Sequence, residues 1–230
     1  MKKLVTAVAA IAAFGFVNSA SAADMPVKMP VKAPIAIPYS WTGWYVGISG
    51  GGDWGRLDGS FPVSATAYTH NTSGWVAGGH IGYQYQWSQF VLGVEAGASA
   101  LGSKGSVTCP TVTFTCSEQA DLLLEVTGKF GWAWDRTLLY GKAGWGEERV
   151  KSTTSPVFPG YDDAHELGGL ILGGGVEYAF WHNWSAGVEY IHLNMGSQTY
   201  APTPFIAGVT RTISGNDNIV RAVLNYKFGG

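Results

Sequence analysis

From Trp41 onward, apolar and polar residues alternate along the chain with a period of two. In the segment 74–87, Trp75, Ile81 and Trp87 share one parity with other apolar residues, while His80 and Gln84 share the other with glycines. This alternation predicts a β-strand with one apolar face and one small or polar face. The same pattern occurs in seven further stretches: 44–54, 90–100, 122–134, 138–148, 170–180, 184–194 and 218–228.

The connections between these eight stretches alternate in length. Three are tight turns, around Ser88-Gln89, Asp135-Arg136 and His182-Asn183; four are long, at 56–73, 102–119, 150–165 and 195–217. An even number of strands, with short turns at one end and long loops at the other, is typical of bacterial outer-membrane barrels. The pattern therefore predicts an all-β fold, an eight-stranded antiparallel transmembrane β-barrel over residues 41–230.

The spacing of aromatic residues supports a membrane location. Two predicted strands carry a pair of tryptophans on one face, Trp44 with Trp54 and Trp75 with Trp87. The separation within each pair corresponds to roughly 25 to 30 Å along the membrane normal. That is the height of an apolar band between two aromatic girdles. A soluble lipocalin-like cup is the alternative, but the small, glycine-rich polar face suits a narrow interior better. The predicted girdle residues are Trp44, Trp54, Trp75, Trp87, Trp134, Trp145, Trp184 and Phe228.

The glycine-rich face of the predicted strands also contains charged residues. In an eight-stranded barrel these side chains would share a lumen just wide enough for them to fill. Four acids and four bases are predicted there as a charge network: Glu95, Glu125, Lys129, Lys142, Glu177, Glu189, Arg221 and Lys227. Glu125 or Glu177 would serve as a general acid or base in an enzyme, but no nucleophile, metal-ligand spacing or phosphate loop accompanies them. We expect no enzymatic activity.

The N-terminal residues have the pattern of a targeting segment. Lys2 and Lys3 precede an apolar run that ends near the small-residue site Ala20-Ser21-Ala22, which is typical of a secretory signal peptide over residues 1–22. Prolines at every fourth position then predict an extended, Pro-rich periplasmic tether over residues 23–40. In an oxidising compartment the only two cysteines, Cys109 and Cys116, are predicted to form a local disulfide, with two free thiols as the alternative.

Composition excludes several other classes of function. The chain has 230 residues, of which 33 are Gly, and its formal net charge is -2. It therefore lacks the excess of basic residues that would indicate nucleic-acid binding. The five histidines are scattered over different elements without zinc-ligand spacing. Glycine runs at 50–52 and 173–175 lie inside strands, where they favour close packing over phosphate binding. We therefore predict no metal and no cofactor.

Several segments together resemble a known family. They are the signal followed by ADMPVK, then WTGWYVGISGG, FVLGVEAGAS, GKFGWAWDRTLLYGKAGWG, GVEYAF, WHNWSAGVEYIHLNMGS and the ending VRAVLNYKFGG. In these the chain resembles the small outer-membrane β-barrel family of alphaproteobacteria, whose members are called outer-membrane immunogenic or porin-family proteins. The ending departs from the usual terminal aromatic residue, since Gly229 and Gly230 follow Phe228.

The resemblance implies a location in the outer membrane and an abundant envelope protein rather than a defined chemistry. It implies as partners outer-membrane lipid and lipopolysaccharide, the barrel-insertion machinery through the C-terminal strand, and a host or surface partner at the long loops. Three functions stay open at this point. They are a structural barrel that supports envelope integrity and displays loops, a small diffusion channel, and a surface adhesin or haem-binding protein.

Overall fold

A computed structural model describes residues 39–61, 66–108, 115–155, 163–200 and 211–229. The predicted signal peptide, the tether up to residue 38 and Cys109 lie outside these residues. Nine β-segments are present in the described ranges: β1 Gly43–Phe61, β2 Thr66–Trp87, β3 Phe90–Leu101, β4 Lys104–Thr108, β5 Thr115–Trp134, β6 Thr137–Ser155, β7 Asp163–Ala179, β8 Trp184–Tyr200 and β9 Arg211–Phe228. No helix long and apolar enough to cross a membrane occurs in them.

The strands close into a barrel. Apart from β3 and β4, consecutive strands pair antiparallel, and β1 pairs with both β2 and β9, so the sheet has no open edge there. β3 and β4 occupy one position in the wall, because both pair with β2 on one side and β5 on the other. They are separated at Gly102 and Ser103, where the Gly102 amide donates to the Trp75 carbonyl at 2.8 Å. The predicted eight-stranded antiparallel barrel is confirmed.

Tight connections lie at one end of the barrel. Ser88 and Asp135 have φ angles of 56° and 51°, and each lies in a two-residue turn between consecutive strands. Two-residue hairpins favour positive φ because their twist then matches that of the strands. The third connection runs from Phe180 to Asn183. These are the turns that the sequence predicted, and outer-membrane barrels place such turns on the periplasmic side.

At the opposite end the strands are longer than the alternation predicted. β1 continues past Trp54 to Phe61, and β2 begins at Thr66, with Arg56 paired to Asn71. The predicted loop 56–73 was therefore wrong in extent, and the other three long loops are also shorter than predicted. Beyond the membrane both faces of a strand can meet water, so hydrogen bonding continues without the alternating pattern that reveals it in the sequence.

The outer wall is apolar. Valine, leucine, isoleucine and aromatic side chains cover it between the two ends of the barrel. All eight residues predicted for the aromatic girdles point outward, with between 39 and 80 % of their surface exposed. Phe90 adds to the periplasmic end by packing edge-on against Trp132, with ring centroids 4.9 Å apart. Such a surface is stable only where lipid covers it.

Candidate functional site in the barrel lumen

The lumen is filled by side chains. Every residue predicted for the lumen charge network is buried, with between 1 and 5 % of its surface exposed. These residues come from strands all around the wall, because inward positions alternate with outward ones along each strand. Seven of them lie close together at mid-height, and we call this set the charge layer: Glu95, Glu125, Lys129, Lys142, Glu177, Glu189 and Arg221.

Lys142, on β6, lies at the centre of the charge layer. Its Nζ is 3.0 Å from Glu95 Oε1, 3.1 Å from Glu189 Oε2 and 3.6 Å from Glu125 Oε1. One ammonium group thus contacts carboxylates from β3, β8 and β5. Because β3 and β8 lie four positions apart in the eight-position wall, the contact reaches across the lumen.

Arg221, on β9, supplies a second connection between the same carboxylates. Its Nε donates to Glu189 Oε1 at 2.8 Å, and its Nη2 donates to Glu125 Oε1. Nη1 lies 3.5 Å from the Ser99 hydroxyl. The planar guanidinium directs several donors at once, which lets it bridge two glutamates that one lysine cannot hold with the same geometry.

Lys129 is enclosed by aromatic rings. Its Nζ lies 3.3 Å from Glu95 Oε2 and 4.2 Å from the centroid of the Tyr140 ring, with the Tyr45 ring at 5.1 Å. The Tyr45 hydroxyl donates to Glu95 at 2.7 Å and the Tyr140 hydroxyl donates to Glu189 at 2.9 Å. The tyrosines therefore satisfy carboxylate oxygens and at the same time pack against the cation.

Glu177 is held differently from the other three acids. It accepts a hydrogen bond from the Asn225 amide, whose oxygen lies 2.6 Å from His80 Nε2. Within the described ranges, no lysine or arginine nitrogen lies within 4 Å of its carboxylate. The predicted network thus contains polar partners, Tyr45, Tyr140 and Asn225 among them, that charge parity alone did not single out.

Lys227 is buried but does not join these ion pairs. Its Nζ donates to the carbonyl oxygen of Ser40 and lies 4.6 Å from the centroid of the Tyr39 ring. The prediction grouped Lys227 with the other three bases, and the structure places it at the periplasmic mouth because it is one of the last residues of β9. Ser40 and Tyr39, which the sequence placed in the tether, contact the barrel.

An apolar layer closes the periplasmic mouth, and we call it the lower seal. Trp41 is only 1 % exposed and its amide donates to Gln86 Oε1 at 2.7 Å. Tyr39 packs edge-on against it, with ring centroids 5.0 Å apart, and burial together with Glu177 raises the pKa of Tyr39 to about 12. The buried members of the lower seal are Trp41, Val91, Ala133, Leu138, Tyr140 and Ala179.

A second apolar layer fills the lumen towards the long-loop end, and we call it the upper seal. Sequence reasoning missed it, although Ile191, Leu193 and Met195 share the parity of Glu189 and were visible as inward positions. The members of the upper seal are Leu57, Val76, Leu101, Ala120, Leu123, Val150, Leu167, Ile171, Ile191, Leu193, Met195, Ile213 and Ile219. The charge layer is therefore enclosed between two apolar layers.

Three carboxyl groups are buried near the upper seal. Asp53 accepts a hydrogen bond from Ser103, and Glu148 and Asp217 lie near each other. Across the part of the chain that the structure describes, no group of three His, Cys, Asp or Glu residues has the geometry to hold a metal ion.

Interior glycines make room for these large side chains. A Cβ added at Gly82 would lie 2.5 Å from the Tyr45 ring, and one at Gly97 would lie 2.9 Å from the Glu125 carboxylate. One at Gly175 would lie 2.9 Å from the Tyr140 hydroxyl. Glycine in the wall thus faces a charged or aromatic side chain from a neighbouring strand, which is how a narrow barrel accommodates its contents.

The predicted disulfide lies at the edge of the described residues. The backbone of Cys116 pairs with Val107 and Thr154 within the sheet, but Cys109 lies outside the described ranges. The Cys109–Cys116 bond therefore stays a prediction. Free thiols in mass spectra of the protein taken from the envelope would contradict it.

A family model and two sequence relatives agree with this architecture. The family model described as "Outer membrane protein beta-barrel domain" matches residues 9–228. The chain is 30% identical over 244 residues to the 31 kDa outer-membrane immunogenic protein of Brucella melitensis, covering 96% of this chain and 98% of that protein. It is 28% identical over 193 residues to the 25 kDa outer-membrane immunogenic protein of Brucella abortus, covering 83% and 80%. The structure of Neisserial surface protein A covers 81% of this chain and 98% of its own, with 15% identity and a TM-score of 0.43.

Proposed function

We propose that this chain, which belongs to the outer membrane protein β-barrel family, is a closed structural barrel that supports the integrity of the outer membrane and displays its long loops at the cell surface. The observation that carries the proposal is the filled lumen. A barrel with no open path moves no solute, so its contribution lies in its wall and in its loops. We propose no enzymatic reaction for it.

Three layers support a closed lumen. The lower seal places Trp41 across the periplasmic mouth, the charge layer joins strands from opposite walls through Lys142 and Arg221, and the upper seal excludes water towards the loops. Ions crossing the barrel would have to displace two apolar layers and break buried ion pairs. Each of these steps is unfavourable, because a partly broken buried network leaves uncompensated charge.

Surface display is the second part of the proposal. The relatives in Brucella are named immunogenic proteins, and in this family fold the long connections face outward from the cell. Loops carried on a rigid scaffold are where binding residues concentrate. We further propose that β9, Arg211–Phe228, carries the signal for the insertion machinery, since it is the last strand and closes the barrel against β1.

The proposal is tested by conductance. We expect the refolded mature barrel to give no steady single-channel current in a planar bilayer. We also expect Lys129→Ala alone to leave the current at baseline, since both seals remain. A stable, reproducible conductance from the unaltered barrel would overturn the proposal in favour of a diffusion channel. A known open porin, inserted under the same conditions, controls for failed insertion.

A further inference from the structure

Three residues that precede the sheet close the periplasmic mouth, and we call them the plug: Tyr39, Ser40 and Trp41. They lie outside the strands that form the wall. The Trp41 amide donates to Gln86 Oε1 at 2.7 Å, and the Ser40 carbonyl accepts a hydrogen bond from Lys227 Nζ. The plug is therefore held by side chains of the barrel and not by the hydrogen-bond ladder that joins the strands.

The packing of the plug leaves one polar group unsatisfied. Trp41 is buried, and among the described residues its indole Nε1 has no hydrogen-bond partner. A buried donor without a partner destabilises the state that buries it, because water satisfies the same group once it is exposed. This loss offsets part of the stabilisation that the closed mouth gains from burying the indole ring.

The charge layer above the plug has one acid more than it has bases. Its four glutamates and three bases give a formal charge of -1 when all seven groups are ionised. Three of the glutamates lie within 4 Å of a lysine or arginine nitrogen. Among the described residues Glu177 has no such contact, and it accepts from the Asn225 amide instead.

Lys227 is the base that matches this acid. It is as deeply buried as the charge layer, but its ammonium donates to the neutral Ser40 carbonyl and lies 4.6 Å from the centroid of the Tyr39 ring. Its charge would bring the formal sum of the charge layer to zero. In the part of the chain that the structure describes, the lumen thus holds one acid without a close cation and one base without a close carboxylate.

These two side chains lie beside the same residue of the plug. Burial and the Glu177 carboxylate together raise the pKa of Tyr39 to about 12, and Lys227 packs on the Tyr39 ring. Along β9, Lys227 is two residues from Asn225, which donates to Glu177. Two residues of a strand span about 7 Å, a distance that the flexible four-carbon stem of lysine covers.

Lys129 is the other base near Glu177, and it is already committed. It has the strongest electrostatic effect on Glu177 among the charged groups around that carboxyl, but its Nζ lies 3.3 Å from Glu95 and between two tyrosine rings. A move towards Glu177 would take from Glu95 one of its two cations. Lys227 would give up only a neutral carbonyl and one ring contact.

We propose that the plug is a releasable closure of the periplasmic mouth and that Lys227 is its latch. In the closed state Lys227 holds Ser40 and packs on Tyr39. In the released state Lys227 pairs with Glu177, the Trp41 indole reaches water, and the other ion pairs of the charge layer stay in place. A pair of ionised groups is a stronger partner for lysine than a neutral carbonyl, so the new contact compensates for the lost ones and the mouth has two alternative packings.

Hydrogen–deuterium exchange of the folded barrel, resolved by mass spectrometry to the amides of the plug, tests the proposal. Glu177→Gln keeps an oxygen that accepts from Asn225, so it retains the closed state, but it removes the partner of Lys227 in the released state. We expect this variant to slow exchange of the Trp41 amide roughly three- to tenfold. The strand amides of β6 serve as the internal reference for unfolding of the whole barrel.

The same substitution in a Lys227→Met background supplies the decisive comparison. We expect Glu177→Gln to have no effect on exchange of the plug once residue 227 carries no charge, because the two residues act as a pair only in the released state. An equal effect in both backgrounds would overturn the proposal. Faster exchange in Glu177→Gln would also overturn it, since that sign means that Glu177 stabilises the closed state. If Lys227→Met folds poorly, Lys227→Gln takes its place in the same comparison.

Asp135→Asn is the matched control. It removes an acid from an exposed turn at the same end of the barrel, and asparagine tolerates the φ angle of 51° at this position. We expect its plug to exchange like that of the unaltered protein, and an equal slowing would show a general effect of charge and overturn the latch. The inference goes beyond the closed structural barrel, because the upper seal blocks the lumen in both states. A steady current would refute that barrel and leave the exchange comparison unaffected.

Discussion

Removing the positive charge at the centre of the charge layer should destabilise the barrel strongly. In Lys142→Met the side chain keeps a similar length, but Glu95, Glu125 and Glu189 lose the ammonium that lies within 3.0 to 3.6 Å of each of them. At an effective dielectric constant near 20, each contact at 3 Å attracts by on the order of 5 kcal/mol before desolvation is subtracted. Desolvation offsets most of that sum, and breaking a buried pair costs about 3 to 5 kcal/mol.

The matched control is Lys227→Met. Lys227 is equally buried, but within the described residues it donates to the neutral Ser40 carbonyl and contacts no carboxylate within 4 Å. Losing one hydrogen bond from a charged donor costs about 1.5 to 3 kcal/mol. Reversible urea unfolding of the barrel in lipid vesicles, followed by tryptophan fluorescence, measures both variants.

We expect the free energy of unfolding to fall more in Lys142→Met than in Lys227→Met. We also expect Glu189→Gln to recover part of the loss when it is combined with Lys142→Met, because it removes one of the uncompensated charges. A Lys142→Met barrel within 1 kcal/mol of the unaltered protein would refute the reasoning that the charge layer is a paired network.

Further predictions concern the wall, the lower seal and its titration. Gly82→Leu should lower folding yield because its side chain would meet Tyr45, while Gly79→Leu on the same strand should fold normally; heat-dependent gel mobility measures both. Trp41→Ala should destabilise the barrel by about 3 to 5 kcal/mol in urea unfolding, and a change below 1 kcal/mol would contradict its role in the lower seal. Since the pKa of Tyr39 is raised to about 12, its neutral form is favoured on folding, so its contribution should be intact below pH 10 and lost as pH rises through 12. The stability difference between the unaltered protein and Tyr39→Phe should therefore change only above about pH 10, and a change near neutral pH would show another cause.

The membrane-spanning part of the fold is readable in the sequence because lipid imposes a strict rule on it. One face of each strand must be apolar and the other must fit a narrow lumen, so Trp75 and Trp87 identify the outside and Glu95 or Glu189 the inside from parity alone. Above the membrane that rule ends. Arg56 still pairs with Asn71, but this part of the sequence shows no alternation of apolar and polar residues. The strands are therefore longer than the alternation predicted.

Parity also has a limit inside the barrel. It places a side chain in the lumen but not its height or its partner, because those depend on how neighbouring strands are staggered. Lys142 and Lys227 have the same parity, yet one contacts three glutamates and the other a backbone carbonyl at the mouth. The same limit applies to Tyr45 and Tyr140, whose hydroxyl partners come from strands distant in the sequence.

By itself, the sequence determined the strand number, the antiparallel order, which side chains face lipid and which face the lumen, and the location in the outer membrane. These follow from local alternation and from the lengths of the connections, which need no knowledge of distant contacts. Only the tertiary structure decided that Trp41 closes the mouth and that an apolar layer lies above the charges. Each of these depends on the register between strands, and register is a property of the closed barrel as a whole.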